Sequence, residues 1–363
     1  MESENAVLAN ATDAFNCSSK LGSLAGGDGP CERFEFGFDR ELVDRIVAVL
    51  VPLSFGMIGI LGLAGNSLVV LVVAANPGMR STTNILIINL AVADLLFVIF
   101  CIPFTATDFV LPYWPFGNVW CKIVQYMIIV TAYASVYTLV LMSLDRYLAV
   151  VHPIASMSWR TEIHAIRAIC VMWAVILLIS VPALVIHGEI HYVFQEIDEE
   201  WENLTACRIL AQYDWTCFQL VFFMTTYALP LILIIIFYMF MLSKLWRNTR
   251  ASAESRRGRR RVTRLVFVVV GVFAVCWCPI QVILVIKSLD LYPLTTGTIM
   301  LQIASHILAY TNSCVNPILY AFLSDNFRKA FRKLIYCKPR PESNNRLEPA
   351  TRTTRAASSG DIL

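Results

Sequence analysis

Asp145-Arg146-Tyr147 ends one long apolar stretch, and Asn316-Pro317-Ile318-Leu319-Tyr320 lies inside another. An Asp or Arg at the centre of a helix in hydrocarbon costs roughly 2.5–3.5 kcal/mol, so charges kept at the edge of such a stretch have work to do. A proline within an apolar helix frees a backbone carbonyl that neighbouring groups must satisfy. Both features suit a helical bundle that sits in lipid and changes shape.

Composition agrees. Hydrophobic residues make up 57% of the 363 and charged residues 15%, against about 45–50% and about 25% in soluble domains. In water such a chain would expose too much apolar surface, so lipid is the solvent for much of it. The net charge of +3 is too small to point to nucleic acid. Residues 1–46 are polar and lack the apolar core of a signal peptide, so the first apolar stretch is expected to be its own membrane signal. The eleven cysteines show no paired CxxC metal spacing. Cys276-Trp277-Cys278 reads as packing, and Cys217 as a buried thiol.

Apolar stretches near 47–75, 84–111, 118–151, 165–187, 214–246, 262–288 and 296–322 each reach the ~20 residues a helix needs to cross a bilayer. The expected fold is all-α: a seven-transmembrane helix bundle, with residues 1–46 as an extracellular tail, 47–337 as the membrane domain and 338–363 as a cytoplasmic tail. Lys and Arg mark cytoplasmic connections. Between 243 and 264 stand Lys244, Arg247, Arg250, Arg256, Arg257, Arg259, Arg260, Arg261 and Arg264 against one acid, Glu254. Residues 187–215 instead hold Glu189, Glu196, Asp198, Glu199, Glu200, Glu202 and Asp214 against a single Arg208. The N-terminus is therefore expected outside. The sequons at Asn10, Asn16 and Asn203 all fall on that outer side, where glycosylation occurs.

Beyond the last span, Asp325-Asn326-Phe327-Arg328-Lys329-Ala330-Phe331-Arg332-Lys333-Leu334 reads as an amphipathic eighth helix on the inner leaflet. Cys337 is either a palmitoylation site or a free thiol. The tail is rich in Pro, Ser, Thr, Asn and Arg, a composition of disordered chains. It holds Ser343, Thr351, Thr353, Thr354, Ser358 and Ser359 as phosphate acceptors. Its last residues, Asp361-Ile362-Leu363, offer a short match to a peptide that joins a sheet edge.

The ordered set of motifs, one per span, resembles the rhodopsin-like G-protein-coupled receptors: Gly65-Asn66, Leu90-Ala91-Val92-Ala93-Asp94, Asp145-Arg146-Tyr147, Trp173, Pro230, Cys276-Trp277-Cys278-Pro279 and Asn316-Pro317-Ile318-Leu319-Tyr320. The resemblance covers about 45–337. It implies that Asp145 restrains Arg146 until activation opens a cleft for a heterotrimeric G-protein, with Tyr147, Tyr238 and Tyr320 near the moving ends. It implies a disulfide between Cys121 and Cys207; whether Cys17 and Cys31 pair is open. It implies an allosteric sodium ion on Asp94, Ser135, Asn312, Ser313 and Asn316, although Thr131 stands where many members carry Asn. A protonated, hydrogen-bonded Asp94 is the plainer reading. Trp277, ahead of the Pro279 kink, is either the family's rotamer sensor or a packed aromatic. Arrestin, receptor kinases and membrane lipid are further partners of the family.

Absences narrow the ligand. No lysine lies between Lys287 and Lys329, so the last span lacks an opsin's Schiff-base lysine; Ile128 stands where amine receptors carry Asp. Gln125, Tyr126, Phe222, Gln281, Gln302, His306 and Tyr310, with Asp108 at the rim, offer a neutral polar and aromatic lining suited to an amidated aromatic peptide end. His306 alone reads equally well as a structural residue. Trp114-Pro115-Phe116-Gly117, Arg257-Gly258-Arg259-Arg260-Arg261-Val262-Thr263-Arg264-Leu265, Gln281-Val282-Ile283-Leu284 and Lys287-Ser288-Leu289-Asp290 resemble the insect allatostatin-A receptors, relatives of vertebrate galanin receptors. That likeness implies a neuropeptide ligand at the plasma membrane and G-proteins of the inhibitory class. Galanin-like or somatostatin-like ligands are the alternative, and a transporter a more distant one, since the halves show no repeat. No nucleophile, base and orienting acid converge, so the chain does not read as an enzyme.

Overall fold

The computed structural model describes residues 40–79, 81–111, 113–195, 201–247, 253–293 and 295–335. The expectations for Asn10, Asn16, Cys17, Cys31, Cys337 and the tail acceptors lie outside the described residues. The helices are α1 (Arg40–Ala75), α2 (Thr82–Phe100), α3 (Ile102–Val110), α4 (Gly117–Val151), α5 (Glu162–Ile179), α6 (Pro182–Ile186), α7 (Trp215–Phe223), α8 (Leu229–Arg247), α9 (Ala253–Ser288), α10 (Thr296–Leu323) and α11 (Asp325–Ile335). Two strands, β1 (His187–Gln195) and β2 (Trp201–Ile209), pair antiparallel with Glu189 opposite Cys207.

Prolines explain why seven spans give more than seven helices. Pro103 and Pro182 each stand at the second or first residue of a short helix, α3 and α6, because a proline amide cannot continue the ladder of the helix before it. Pro230 follows a π-turn, Met224–Ala228, that joins α7 to α8. Pro279 and Pro317 lie within α9 and α10.

Among the described residues, six spans are apolar enough to cross a membrane by length and hydropathy: Arg45–Ala75, Thr82–Val110, Gly117–Val151, Glu162–Ile186, Trp215–Lys244 and Thr263–Ser288. The seventh, α10, has 28 residues, about 42 Å of helix, but Gln302, Ser305, His306, Asn312, Ser313 and Asn316 make it polar. All six are buried, so their polarity faces protein. Outward sides differ: Val49, Leu53, Met57 and Ile60 of α1, Val171, Val175 and Leu178 of α5, and Ile232, Ile235 and Met239 of α8 are exposed apolar residues. That surface suits lipid.

Buried polar bonds register the helices. Gly65 and Pro317 are in such close approach that a Cβ on Gly65 would lie 3.0 Å from the Pro317 ring. Beside them Asn66 Nδ2 donates to Ser313 O at 2.8 Å, the carbonyl whose helical donor Pro317 lacks. Trp173 Nε1 donates to Asn89 Oδ1 at 2.8 Å and Asn89 Nδ2 to Thr138 Oγ1 at 2.7 Å, tying α5, α2 and α4. Around α4 the core collects Val136, Leu139 and Met142 with Leu86 and Leu90 of α2, Ile234 and Met241 of α8, and Val266 and Val269 of α9. Phe327 and Phe331 of α11 join that core, Phe327 with its ring 5.6 Å from Tyr320, while Arg328, Lys329 and Arg332 are exposed. The amphipathic helix thus exists, with its aromatic residues on protein.

The hairpin is an addition to the all-helical expectation. It caps one end of the bundle, where Trp114 N donates to Thr205 O at 2.7 Å and Thr205 Oγ1 to Trp114 O at 3.0 Å. Gly117 opens α4 with φ +74°, in the left-handed region that glycine enters without a Cβ clash. The disulfide Cys121–Cys207 then fastens β2 to α4. Cys217, expected to be buried, is exposed: it sits one turn into α7, whose buried side is marked by Gln219.

Candidate ligand cavity and switch sites

Beneath the hairpin lies a cavity of about 100 Å³ lined by α4 (Gln125, Ile128, Ile129), the hairpin (His187, Cys207, Arg208, Ile209), α7 (Trp215, Phe218, Gln219, Phe222) and Leu284 of α9. Its lining is mainly apolar, with a few polar groups, as small-ligand sites usually are. Arg208 is the charged member. Its Nη1 donates to Asp108 Oδ1 and Oδ2 at 3.1 and 3.0 Å and to Cys207 O at 2.8 Å. Among the described residues its Nε and Nη2 are buried with no hydrogen-bond partner, as is Gln219 Nε2. Buried donors left unmet cost about 1–3 kcal/mol each, so the cavity is poised for acceptor oxygens. His187 Nδ1 lies 3.0 Å from Ala183 O, and burial pulls its imidazole down to about 4, leaving it neutral at physiological pH.

The residues expected to line a ligand site fall in four places. Gln125 and Phe222 line this cavity, and Asp108 reaches it through Arg208. Gln281 sits deeper, with Nε2 3.5 Å from Thr226 Oγ1 and Oε1 unpartnered. Gln302, His306 and Tyr310 form a third group on α10. Gln302 Oε1 accepts from Lys287 Nζ at 2.7 Å, the His306 ring lies 5.3 Å from Phe109, and Tyr310 OH donates to Thr105 Oγ1 at 3.3 Å. Tyr126 turns elsewhere, donating to Leu177 O of α5 at 3.1 Å.

At the opposite end, Asp145 is buried and Arg146 Nε donates to its Oδ2 at 3.0 Å. Arg146 Nη2 also donates to that oxygen and to Thr83 Oγ1. Tyr147 packs on Phe237 at 5.3 Å, and Tyr238 OH reaches Thr263 O of α9 at 3.5 Å. Tyr320 OH is buried without a partner among the described residues. Between the two ends, Asn316 Nδ2 donates to Asp94 Oδ2 at 2.8 Å. A cavity of about 10 Å³, the size for a single water, is lined by Thr131, Ser135, Trp277, Gln281, Asn312 and Ser313 among others.

Against known sequences, the model of the 7 transmembrane receptor (rhodopsin family) matches residues 65–320. The Allatostatin-A receptor of Bombyx mori is 60% identical over 321 residues, covering 87% of this chain and 88% of that protein. The Galanin receptor type 2 of Mus musculus is 39% identical over 295 residues, covering 79% and 76%. The Somatostatin receptor type 5 of Bos taurus is 36% identical over 338 residues, covering 87% and 88%. The chain belongs to the rhodopsin family of seven-transmembrane receptors.

In this receptor the oxygen set around Asp94 fits the sodium ion expected of it. Among the described residues, Asp94 Oδ1, Asn312 Oδ1 and Asn316 Oδ1 are buried acceptors without a hydrogen-bond donor, and hard cations take oxygen ligands. Thr131 is committed elsewhere, donating to Met127 O of its own helix at 2.7 Å. Trp277 lines the smaller cavity, its ring 6.3 Å from Phe97 and 6.2 Å from Phe273, and among the described residues its Nε1 has no partner. Sequence reasoning missed Arg208, Gln219 and His187. A signal existed for Arg208, the lone basic residue of an acidic loop and adjacent to the bridged cysteine.

Proposed function

We propose that the receptor answers an amidated neuropeptide of the allatostatin-A type, bound from the hairpin side, and signals through inhibitory-class G-proteins at its basic end. The observation that carries this reading is the 60% identity over nearly the whole chain, joined to a neutral, aromatic cavity whose unmet donors suit peptide carbonyls. Asp108 already neutralises Arg208, so an uncharged terminus suits the cavity better than a second carboxylate, which would add a buried negative charge.

Acting as a receptor requires that the peptide prefer one of two packings. Moving a 1:99 population to 99:1 takes about 5.5 kcal/mol of differential affinity. In this reading closure of the cavity shifts Trp277, α9 moves away from α4, and Arg146 leaves Asp145 for the G-protein. Asp94, Ser135, Asn312, Ser313 and Asn316 would hold a sodium ion, whose positive charge would favour the resting packing. The N-terminus is outside, as the basic residues from Lys244 to Arg264 argue. Arrestin and receptor kinases act on the Ser and Thr residues of the tail, and a palmitoyl group on Cys337 anchors α11 to lipid.

The test uses the purified full chain in nanodiscs with a heterotrimer of the inhibitory class. An amidated allatostatin-A peptide is expected to accelerate nucleotide exchange, and the free-acid form to act at least tenfold more weakly, a penalty of about 1.4 kcal/mol. Response to galanin or somatostatin alone would reassign the ligand. Exchange only on a heterotrimer of another class would overturn the coupling.

A further inference from the structure

Asp145 serves two arginines. Its Oδ2 takes Arg146 and Thr83, while its Oδ1 accepts from Arg160 Nε at 2.9 Å. Arg160 stands outside the spans, in the connection between α4 and α5, one residue before Thr161, the N-cap of α5. Its own backbone is pinned: Arg160 N donates to Ser156 O at 2.9 Å, and Thr82 Oγ1 donates to Arg160 O at 3.4 Å. Ser156 is buried and its Oγ donates to Leu148 O of α4 at 3.1 Å. The second guanidinium is therefore held on the carboxylate by the loop, independently of the Arg146 side chain.

This division matters when Arg146 leaves. The Asp145 side chain is only 4% exposed, and a buried carboxylate stripped of its cation is strongly disfavoured. With Arg160 in place, Asp145 keeps an ion pair on Oδ1 and the Thr83 hydroxyl on Oδ2. In the resting packing Arg160 is one cation of two; in the released packing it is the remaining one. Its stabilisation is larger in the released packing.

Accepting the functional reading above, we propose that Arg160 is a positioning residue that holds Asp145 after Arg146 departs, and so favours the active packing. The sequence motif alone assigns Asp145 to Arg146; the fold adds the second claimant.

The experiment measures basal and peptide-stimulated nucleotide exchange by the full chain in nanodiscs, with an amidated allatostatin-A peptide as probe. Arg160→Gln is expected to lower basal exchange about tenfold, within the range of intramolecular couplings, and to weaken peptide affinity by up to the same factor, because the peptide prefers the packing that the variant depopulates; exchange at saturating peptide changes little. Arg160→Lys is expected to recover much of the loss, since an ammonium can also pair with Oδ1. In an Asp145→Asn background, where no carboxylate needs a cation, Arg160→Gln is expected to change nothing further. Unchanged or raised basal exchange in Arg160→Gln would overturn the proposal, and so would an equal loss in the Asp145→Asn background. If Arg160→Gln fails to bind peptide, the comparison of Asp145→Asn with the double variant still decides, because neither carries an orphaned carboxylate. A wild-type receptor indifferent to the peptide would refute the ligand assignment instead, and basal exchange would still read the Arg160 effect.

Discussion

Arg208 shows how much one buried side chain can settle. It is 1% exposed, bonded through Nη1 to an Asp108 that is 10% exposed, and its other nitrogens face unmet bonds. Removing one partner of a buried pair costs about 3–5 kcal/mol, whereas removing both is often close to neutral. Arg208→Ala is therefore expected to lower the melting temperature of the detergent-solubilised receptor markedly, and Asp108→Ala with Arg208→Ala to restore most of it. Peptide affinity should fall in both, because the donors are gone in both. A double variant as unstable as the single would mean that packing of the arginine stem, not charge, is what matters.

At the scale of elements, close approach of α1 to α10 depends on a glycine and an asparagine facing one proline. A methyl at Gly65 would stand 3.0 and 3.1 Å from two Pro317 ring carbons, which are held rigidly within α10. Gly65→Ala is expected to destabilise by about 1–3 kcal/mol through overpacking. At Gly56, in the same helix, a methyl would meet no atom within 4 Å, so Gly56→Ala should be neutral or stabilising by up to about 1 kcal/mol from helix propensity. Thermal melting of the two variants side by side checks the contrast; equal effects would remove the case for a tight α1–α10 contact. The prolines that break or turn the spans argue the same way: the residue dictates where the ladder is interrupted, and a neighbour determines whether the freed carbonyl is answered, as Asn66 answers Ser313.

For the whole molecule, His187 ties stability to pH. It lies outside the spans where β1, α6 and α7 meet, on Ala183 O and 5.6 Å from the Phe218 ring. Burial lowers its pKa from 6.5 to about 4, so between those values the unfolded chain binds more protons than the folded one. Stability then rises with pH: the contribution is fully present above about 6.5, is lost as pH falls towards 4, and changes no further below. The loss amounts to roughly 2–4 kcal/mol. Melting temperature followed from pH 7.5 to 4.5 should fall less steeply for His187→Gln; an identical slope in the variant would show that the imidazole is not the group responsible.

Most of the fold was readable from residue order, because a bilayer leaves the backbone few options: apolar runs of spanning length become helices, prolines mark their breaks, and Lys and Arg argue for a side. Asp145 beside Arg146, and Cys121 with Cys207, belong to that readable part through the family's pattern. The hairpin was not readable, since its strands lie in an acidic loop whose pairing depends on Trp114, Thr205 and the disulfide. Nor was the division of the expected ligand residues into four places, because facing depends on helix rotation. Only packing decided that Asp108 meets Arg208, that Asp145 also holds Arg160, and that the polar side of α10 is buried. Those contacts join residues far apart in the chain, and their partners are chosen by three-dimensional proximity that local pattern does not encode.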